Sequence, residues 1–329
     1  MAGQGGEGEF AYIARRLAPL TEGLPGAARL KDDAAVLAVP AGRELVVTTD
    51  TLIEGRHFPE EEDSALAARK ALRANLSDLA AMAADPWCYF LNIVWPIGGF
   101  EARKDGFADG LAEDQNRYGV TLAGGDTTAA DGPWTIAVTM LGTVPAGRAV
   151  RRGGASAGDI LAVTGTIGDA WLGLEHRLGR IDFDVAAAAH VSRRFTLPEP
   201  RIALAEAVRA YANAAIDVSD GLIADAGHVA DASGLRAEID LGRLPLSHAA
   251  RGWLDRQDDR VEALLSLAGG GDDYELVLAV PEARFDGLKA MIGDVGLTAI
   301  GRLTDGAAGA TVTCDGRTIE ARRSGFTHF

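Results

Sequence analysis

The sequence predicts a two-domain chain of mixed α/β (α+β) class, and three observations carry that reading. Strand-like runs rich in β-branched residues alternate with helix-like segments along the chain, a pattern of sheets covered by helices. The 329 residues exceed what one domain of about 100–200 residues holds. Residues 145–158 are dense in Gly, Ala and Arg and lack periodicity, so they divide the chain into halves of comparable length, residues 1–147 and 148–329.

In the first half, residues 34–39 and 44–50 read as strands separated by Pro40, Ala41 and Gly42, which predicts a hairpin. A helix follows from 64 to about 84, with Ser64 as N-cap, Leu72, Leu76, Leu79 and Met82 at helical spacing, and Pro86 as its stop. A strand at 89–95, a helix at about 101–118 and strands at 120–123 and 134–144 complete this half. The second half opens with a strand at 160–164, then helices at 170–178, 185–195 and 202–211. A strand at 215–218 runs into a helix from 222 to about 231, and a strand follows at 236–241. The tail reads as helix 261–267, strand 274–280, helix 284–292 and strands 297–303 and 310–314. No repeat of solenoid period interrupts this order.

Composition removes whole classes of function. Asp and Glu outnumber Lys and Arg by 47 to 32, a formal net charge of −15 that repels nucleic acid and anionic membranes, whose binding depends on clustered cations. The longest apolar stretch, about 89–97, is far short of the roughly 20 residues of a membrane span. Cys88 and Cys314 form no disulfide framework and neither belongs to a CxxC pair. The Gly- and Glu-rich first ten residues lack the basic and apolar regions of a secretion signal. A cytoplasmic protein is expected, with neither nucleic acid nor membrane as partner.

Three motif tests narrow the chemistry. Gly3-Gln4-Gly5-Gly6-Glu7-Gly8 satisfies GxGxxG, but no strand precedes it. Gly154-Ala155-Ser156-Ala157-Gly158 satisfies GxSxG without the strand before and helix after that a nucleophile elbow requires. No GxxxxGK[ST] occurs, which excludes a P-loop kinase.

What remains is a set of aspartates at predicted strand ends and turns: Asp32-Asp33, Thr48-Thr49-Asp50, Asn75-Leu76-Ser77-Asp78, Gly124-Gly125-Asp126-Thr127-Thr128, Asp217-Val218-Ser219-Asp220-Gly221 and Gly270-Gly271-Asp272-Asp273. Each alone reads first as an Asx-turn or cap. Together, at the mouths of neighbouring strands, they suit Mg²⁺, a hard cation that takes one or two carboxylates plus phosphate and water, so that several ions on a polyphosphate need many Asp. Period-two alternation turns Thr48 and Asp50 one way and Thr49 the other, and aims one of Asp32 and Asp33 at a given ion. Asn75 and Asp78 share a helix face. The N–H groups near Gly221 suit a phosphate. Arg148, Arg151 and Arg152 read either as a phosphate clamp or as a solvated linker cluster, and His57 as a surface or a functional residue. The remaining histidines, His176, His190, His228, His248 and His328, show no zinc-like spacing and read as structural.

These motifs resemble one family, the thiamine-monophosphate kinases, within the superfamily of aminoimidazole ribonucleotide synthetase. The resemblance runs from Gly8-Glu9-Phe10 through Asp32-Asp33-Ala34-Ala35, Thr48-Thr49-Asp50-Thr51-Leu52, Gly55-Arg56-His57-Phe58, Asn75-Leu76-Ser77-Asp78-Leu79-Ala80-Ala81-Met82 and Gly124-Gly125-Asp126-Thr127-Thr128. It continues through Ile216-Asp217-Val218-Ser219-Asp220-Gly221-Leu222 and Asp273-Tyr274-Glu275-Leu276 to Gly325-Phe326-Thr327-His328-Phe329. It implies transfer of the ATP γ-phosphate to thiamine monophosphate with several Mg²⁺ ions, in a homodimer. The implied fold is an N-terminal domain that pairs strands across the dimer and holds metal and ATP, with a C-terminal α/β domain completing the ATP and substrate site. The implied metal ligands are Asp33, Thr48, Thr49, Asp50, Asp78, Asp126, Asp217 and Asp220. Gly125, Asp126, Arg152 and Ser219 would contact ATP, and His57, Asp272 and Phe326 the thiamine phosphate. No catalytic group beyond the metal ligands is implied. The chain departs from the family in carrying Leu30-Lys31 where Gly is usual and Asp272 where Glu is usual.

Rival readings predict other features. A selenophosphate synthetase carries a reactive Cys in an N-terminal Gly-rich loop and a hydrogenase-maturation member a Cys-bearing tail, and this chain has neither. An aminoimidazole ribonucleotide synthetase shares the metal motifs but not the His57 segment or the terminus. A non-catalytic sensor would more readily have lost part of the Asp set.

Overall fold

A computed structural model describes residues 8–319. The chain divides into two compact units, one of residues 1–79 and 84–147, the other of residues 80–83 and 148–329.

The first unit is built on a four-stranded sheet of β1 (Arg43–Ile53), β2 (Asp85–Pro96), β3 (Thr121–Ala130) and β4 (Thr135–Pro145), in the order β1-β4-β2-β3. β4 is antiparallel to both β1 and β2, and β2 is parallel to β3. α1 (Glu9–Tyr12) is a single turn, and α2 (Ser64–Ala81) and α3 (Phe100–Tyr118) supply the helical layer. Tyr89, Leu91, Ile93 and Trp95 alternate along β2 and are buried. Trp95 lies with its ring 5.3 Å from Phe100 and 5.5 Å from Phe107 of α3, which identifies this face as the helix-covered one. The two helices are pinned by a fully buried ion pair, Arg73 Nε donating to Asp114 at 2.6 Å, with Arg69 adding a second donor to the same carboxylate at 3.1 Å.

Three expectations for this unit are corrected. Residues 34–39 form no strand and no hairpin; apart from a bond from Val36 N to Gly26 O at 2.9 Å the segment is irregular, and β1 pairs with the distant β4. β-branched content alone does not make a strand without a ladder partner. The N-cap of α2 is Asp63, whose carboxylate accepts from Ala65 N at 2.9 Å and Leu66 N at 3.1 Å, so Ser64 is the first helical residue. Pro86 lies inside β2, at a register irregularity between Pro86 and Cys88, where the ladder tolerates a residue without an N–H.

The second unit is built on a seven-stranded sheet of β5 (Ile160–Thr164), β6 (Ala214–Asp217), β7 (Arg236–Asp240), β8 (Leu276–Val280), β9 (Leu297–Thr304), β10 (Gly309–Cys314) and β11 (Arg317–Ile319), in the order β11-β10-β7-β9-β5-β8-β6. All pairs are antiparallel except β7 with β10. Its centre is buried on both faces, which is why β5 and β8 read as continuous apolar runs. Leu161, Val163, Val277 and Ala279 face a core completed by α4 (Asp169–Arg177), α7 (Leu222–Ser233), α8 (His248–Leu254) and α9 (Arg260–Gly269). Ile160, Ala162, Leu276 and Leu278 face a second core with α6 (Ala205–Tyr211), α10 (Glu282–Ile292) and residues 80–83. α5 (Val185–Thr196) packs on α4 and is capped by Asp184, whose side chain accepts from Ala187 N at 2.9 Å. α8 and β11 are elements the sequence reading did not contain.

Candidate phosphate and metal site

In the first unit, Thr48 and Asp50 on β1 face the helical layer, where Thr48 Oγ1 donates to the carboxylate of Asp78 on α2. Asp50 also hydrogen-bonds Asp78. Burial, then the charge of Asp78, pushes the Asp50 carboxyl from 3.8 up to about 7. Two carboxyl groups held this close share a proton unless a cation neutralises them. Thr49 turns to the opposite face, as alternation demands, where its hydroxyl donates to Val138 O and lies beside Thr139 Oγ1, each at 3.1 Å. Its side chain is therefore separated from the Thr48–Asp50–Asp78 cluster.

Asp126 stands inside β3, not beyond its end, and so does the whole Gly124 to Thr128 motif. Asp126 is level with Asn92 of β2, and Gly125 with Leu91. Gly125 has φ +150°, and a Cβ there would lie 1.9 Å from Leu91 O, so only glycine lets the strands approach this closely. Trp95 Nε1 donates to Thr127 Oγ1 at 2.8 Å and fixes the motif from the helix-covered side. A cavity of 510 Å³ brings Gly125 and Asp126 together with Asp32 and Asp33, over a floor that includes Ile13, Leu30, Leu91 and Leu122. Both members of the Asp32-Asp33 pair line it, because the segment is a bend rather than a strand and period-two alternation does not apply. The turn before it holds Ala28, Arg29 and Leu30 at φ +47°, +52° and +57°. The left-handed backbone that glycine favours is thus adopted here by three residues with side chains.

Across the sheet, Asp50 pairs with Val138, Val138 with Leu91, and Leu91 with Gly125. Three strand spacings, roughly 14 Å, therefore separate Asp50 from the Asp126 strand within one chain, more than a single ion spans. His57 follows β1 in a tight loop. Its Nδ1 accepts from Ile53 N at 3.0 Å, so in the neutral ring the proton sits on Nε2, and Lys70 Nζ holds its carbonyl at 3.0 Å.

In the second unit, β6 ends at the buried Asp217 and α7 begins at Leu222. The intervening loop is stitched to the segment before β8: Asp272 N donates to Ser219 O at 2.9 Å and Tyr274 N to Val218 O at 2.8 Å. This brings Ser219, Asp220 and Asp272 together. Asp272 and Tyr274 sit at φ +61° and +51°, strained conformations that the surroundings must hold. Asp273 provides part of that hold, accepting from Gly168 N at 2.7 Å and Ala170 N at 3.2 Å. Glu275 provides another part, receiving Arg201 Nε at 2.6 Å, Arg194 at 3.0 Å and Thr164 Oγ1 at 2.7 Å. Complete burial pushes the Asp273 carboxyl up to about 7 despite Arg194.

The expected phosphate cradle at the start of α7 is corrected. The N–H groups of Ser219, Asp220 and Gly221 all donate to Asp225 Oδ2, at 3.1, 3.2 and 3.1 Å, so a carboxylate of the chain itself fills the place. His228, read from the sequence as structural, stands with Asp220 and Asp225 so that one ligand atom from each lies within 4.8 Å of the others. Of the remaining expected site residues, Arg152 is exposed and its carbonyl accepts from Ser233 Oγ at 3.3 Å, while Phe326 lies outside the described residues. Sequence reasoning missed Asp225, Glu275, Arg194 and Arg201 as parts of the site. Asp225 had a local signal, an acidic residue in a first helical turn; the others are joined over separations of 74 and 81 residues.

Among the described residues no helix is long and apolar enough to cross a membrane. The chain matches the family model described as AIR synthase related protein, N-terminal domain, over residues 31–144, and its C-terminal domain counterpart over residues 156–313. It is 48% identical over 322 residues to the thiamine-monophosphate kinase of Caulobacter vibrioides, covering 97% of this chain and 90% of that one. The crystal structure of thiamine-monophosphate kinase from Stenotrophomonas maltophilia superposes with a TM-score of 0.79 at 39% identity, over 88% of this chain and 91% of that one. A structure described as AaThiL complexed with AMPPCP and TMP superposes at 0.77 with 29% identity, over 98% of this chain and 97% of that one. With two family domains matched and near full-length identity of this degree, the chain belongs to the thiamine-monophosphate kinase family.

Proposed function

We propose that this protein transfers the γ-phosphate of ATP to thiamine monophosphate, giving thiamine diphosphate and ADP, in the cytoplasm and as a homodimer. The observation that carries the reading is the convergence of Thr48, Asp50 and Asp78 in a chain whose relative was solved with AMPPCP and TMP. Two carboxyl groups in hydrogen-bonding contact, beside a threonine hydroxyl, are a hard-oxygen donor set that fits Mg²⁺.

By family resemblance, Asp33, Thr48, Asp50, Asp78, Asp126, Asp217 and Asp220 are the residues that would hold the several Mg²⁺ ions. Thr49 would join through an atom other than its hydroxyl, which is directed to β4. When bound, Mg²⁺ neutralises phosphate charge and stabilises the in-line transfer. By family resemblance Gly125, Ser219 and Arg152 add ATP contacts. His57, through Nε2–H, and Asp272 orient the thiamine phosphate, with Phe326 as a further contact by family resemblance. An ionised phosphate oxygen of thiamine monophosphate attacks the γ-phosphorus as the bond to the β,γ-bridging oxygen of ATP breaks. The nucleophile is already charged at neutral pH, so no side chain serves as base.

The dimer reading is supported by β1, an edge strand of the first sheet with Leu45 and Val47 exposed at 42% and 55%. Asp50→Asn and Asp126→Asn should each lower turnover by orders of magnitude in a folded protein. Near-normal turnover in both would remove the metal assignment.

A further inference from the structure

The loop between β6 and α7 is organised around a residue that no family motif in the sequence singled out. Asp225, 2% exposed in the first turn of α7, takes three consecutive N–H groups on one oxygen. Such a run of N–H groups beside a helix N-terminus is ordinarily suited to a phosphate. Here Gly221, at φ +129°, lets the chain curl around the carboxylate instead. With the N–H groups turned inward, Ser219 O is left to accept from Asp272 N at 2.9 Å. The carboxylates of Asp220 and Asp225 and the ring of His228 then converge within 4.8 Å. Filled by a carboxyl group of its own, the loop has these three N–H groups already engaged.

We propose that Asp225 is the positioning residue that makes this loop select a divalent cation and reject a bare phosphate, so that nucleotide reaches it only through metal. Asp225 shapes the backbone that carries Asp220 and Ser219, and its charge adds to that of Asp220. The inference rests on the reading of Asp220 as a metal ligand given above.

The test compares wild type, Asp225→Asn and Asp220→Asn at pH 8. Asn keeps an acceptor for the three N–H groups and removes the charge. Mn²⁺ affinity is measured by electron paramagnetic resonance with the nonhydrolysable analogue AMPPCP present, and AMPPCP affinity is measured separately in EDTA. Asp225→Asn is expected to weaken Mn²⁺ about tenfold, the scale of one charge at this range, and to tighten metal-free AMPPCP. It is also expected to raise the Mg²⁺ concentration for half-maximal turnover, with kcat restored at high Mg²⁺. A merely structural role would weaken both ligands and leave kcat depressed at any Mg²⁺ concentration. Unchanged Mn²⁺ affinity, or any pattern other than weaker metal with tighter metal-free nucleotide, overturns the proposal. If Asp220→Asn also leaves Mn²⁺ affinity unchanged, the metal assignment fails with it; if only Asp225→Asn does so, the inference alone fails.

Discussion

Asp50→Asn should make the metal-free protein more stable while disabling it. In the native state Asp50 ionises near pH 7, against an ordinary 3.8, because it is buried and hydrogen-bonded beside Asp78. A carboxyl whose folded pKa is raised holds its full stability contribution below 3.8 and loses it as pH climbs toward the folded value. At about 1.4 kcal/mol per tenfold change in proton affinity, the loss amounts to about 2 kcal/mol at pH 5 and about 4 kcal/mol at pH 8. Asn carries no such charge, so the variant's advantage over wild type should grow from about 2 to about 4 kcal/mol between those pH values. Asp225 and Asp273, which also ionise near pH 7, are present in both proteins and cancel in the difference. The assay is denaturant unfolding in EDTA at both pH values, followed by the same titration with Mg²⁺ and AMPPCP. Ligands that bind only the native state should then raise wild-type stability more than that of the variant. A variant equal to or less stable than wild type at pH 8 in EDTA would refute the picture of carboxylates held together for a cation.

Other perturbations test the supporting structure. Arg73→Met should cost about 3–5 kcal/mol by leaving Asp114 buried and short of its main partner, and adding Asp114→Leu should recover most of that loss, as read by unfolding of both variants. Gly125→Ala should lower both stability and turnover, because the new Cβ meets Leu91 O and β3 must move; a crystal structure of the variant should show the displaced strand. Arg29→Gly should stabilise by about 1 kcal/mol, since it relieves a left-handed residue that is exposed, and a thermal melt suffices to check it.

How much of this was legible in the sequence depends on the range over which each feature is determined. Local periodicity placed β5 at its observed bounds, and it placed α3, α5 and α7 closely. Period-two alternation separated Thr49 from Thr48 and Asp50, and the structure keeps that separation. The run at 34–39 was misread because strand formation needs a partner that β-branched residues do not announce, and the chain gives that partner, β4, to β1. Placing Asp126 at a strand end failed for a related reason. Gly124-Gly125 looks like a turn, yet the parallel ladder with β2 carries the strand through it to Ala130. The Glu275 network joins residues from four separate elements or loops, and no local pattern encodes such a meeting. Asp225 is the instructive intermediate: its distance from Asp220 is short, but whether a helix N-terminus takes a ligand or its own side chain is decided by loop geometry.

In the proposed reaction the γ-phosphate passes intact from ATP to thiamine monophosphate on this protein. Incubation of the purified chain with [γ-³²P]ATP, Mg²⁺ and thiamine monophosphate tests it directly. Label is expected in the terminal phosphate of thiamine diphosphate, equal in amount to the ADP formed and abolished by EDTA. Label appearing only as inorganic phosphate, or remaining in ATP with wild-type protein shown to be folded, would contradict it.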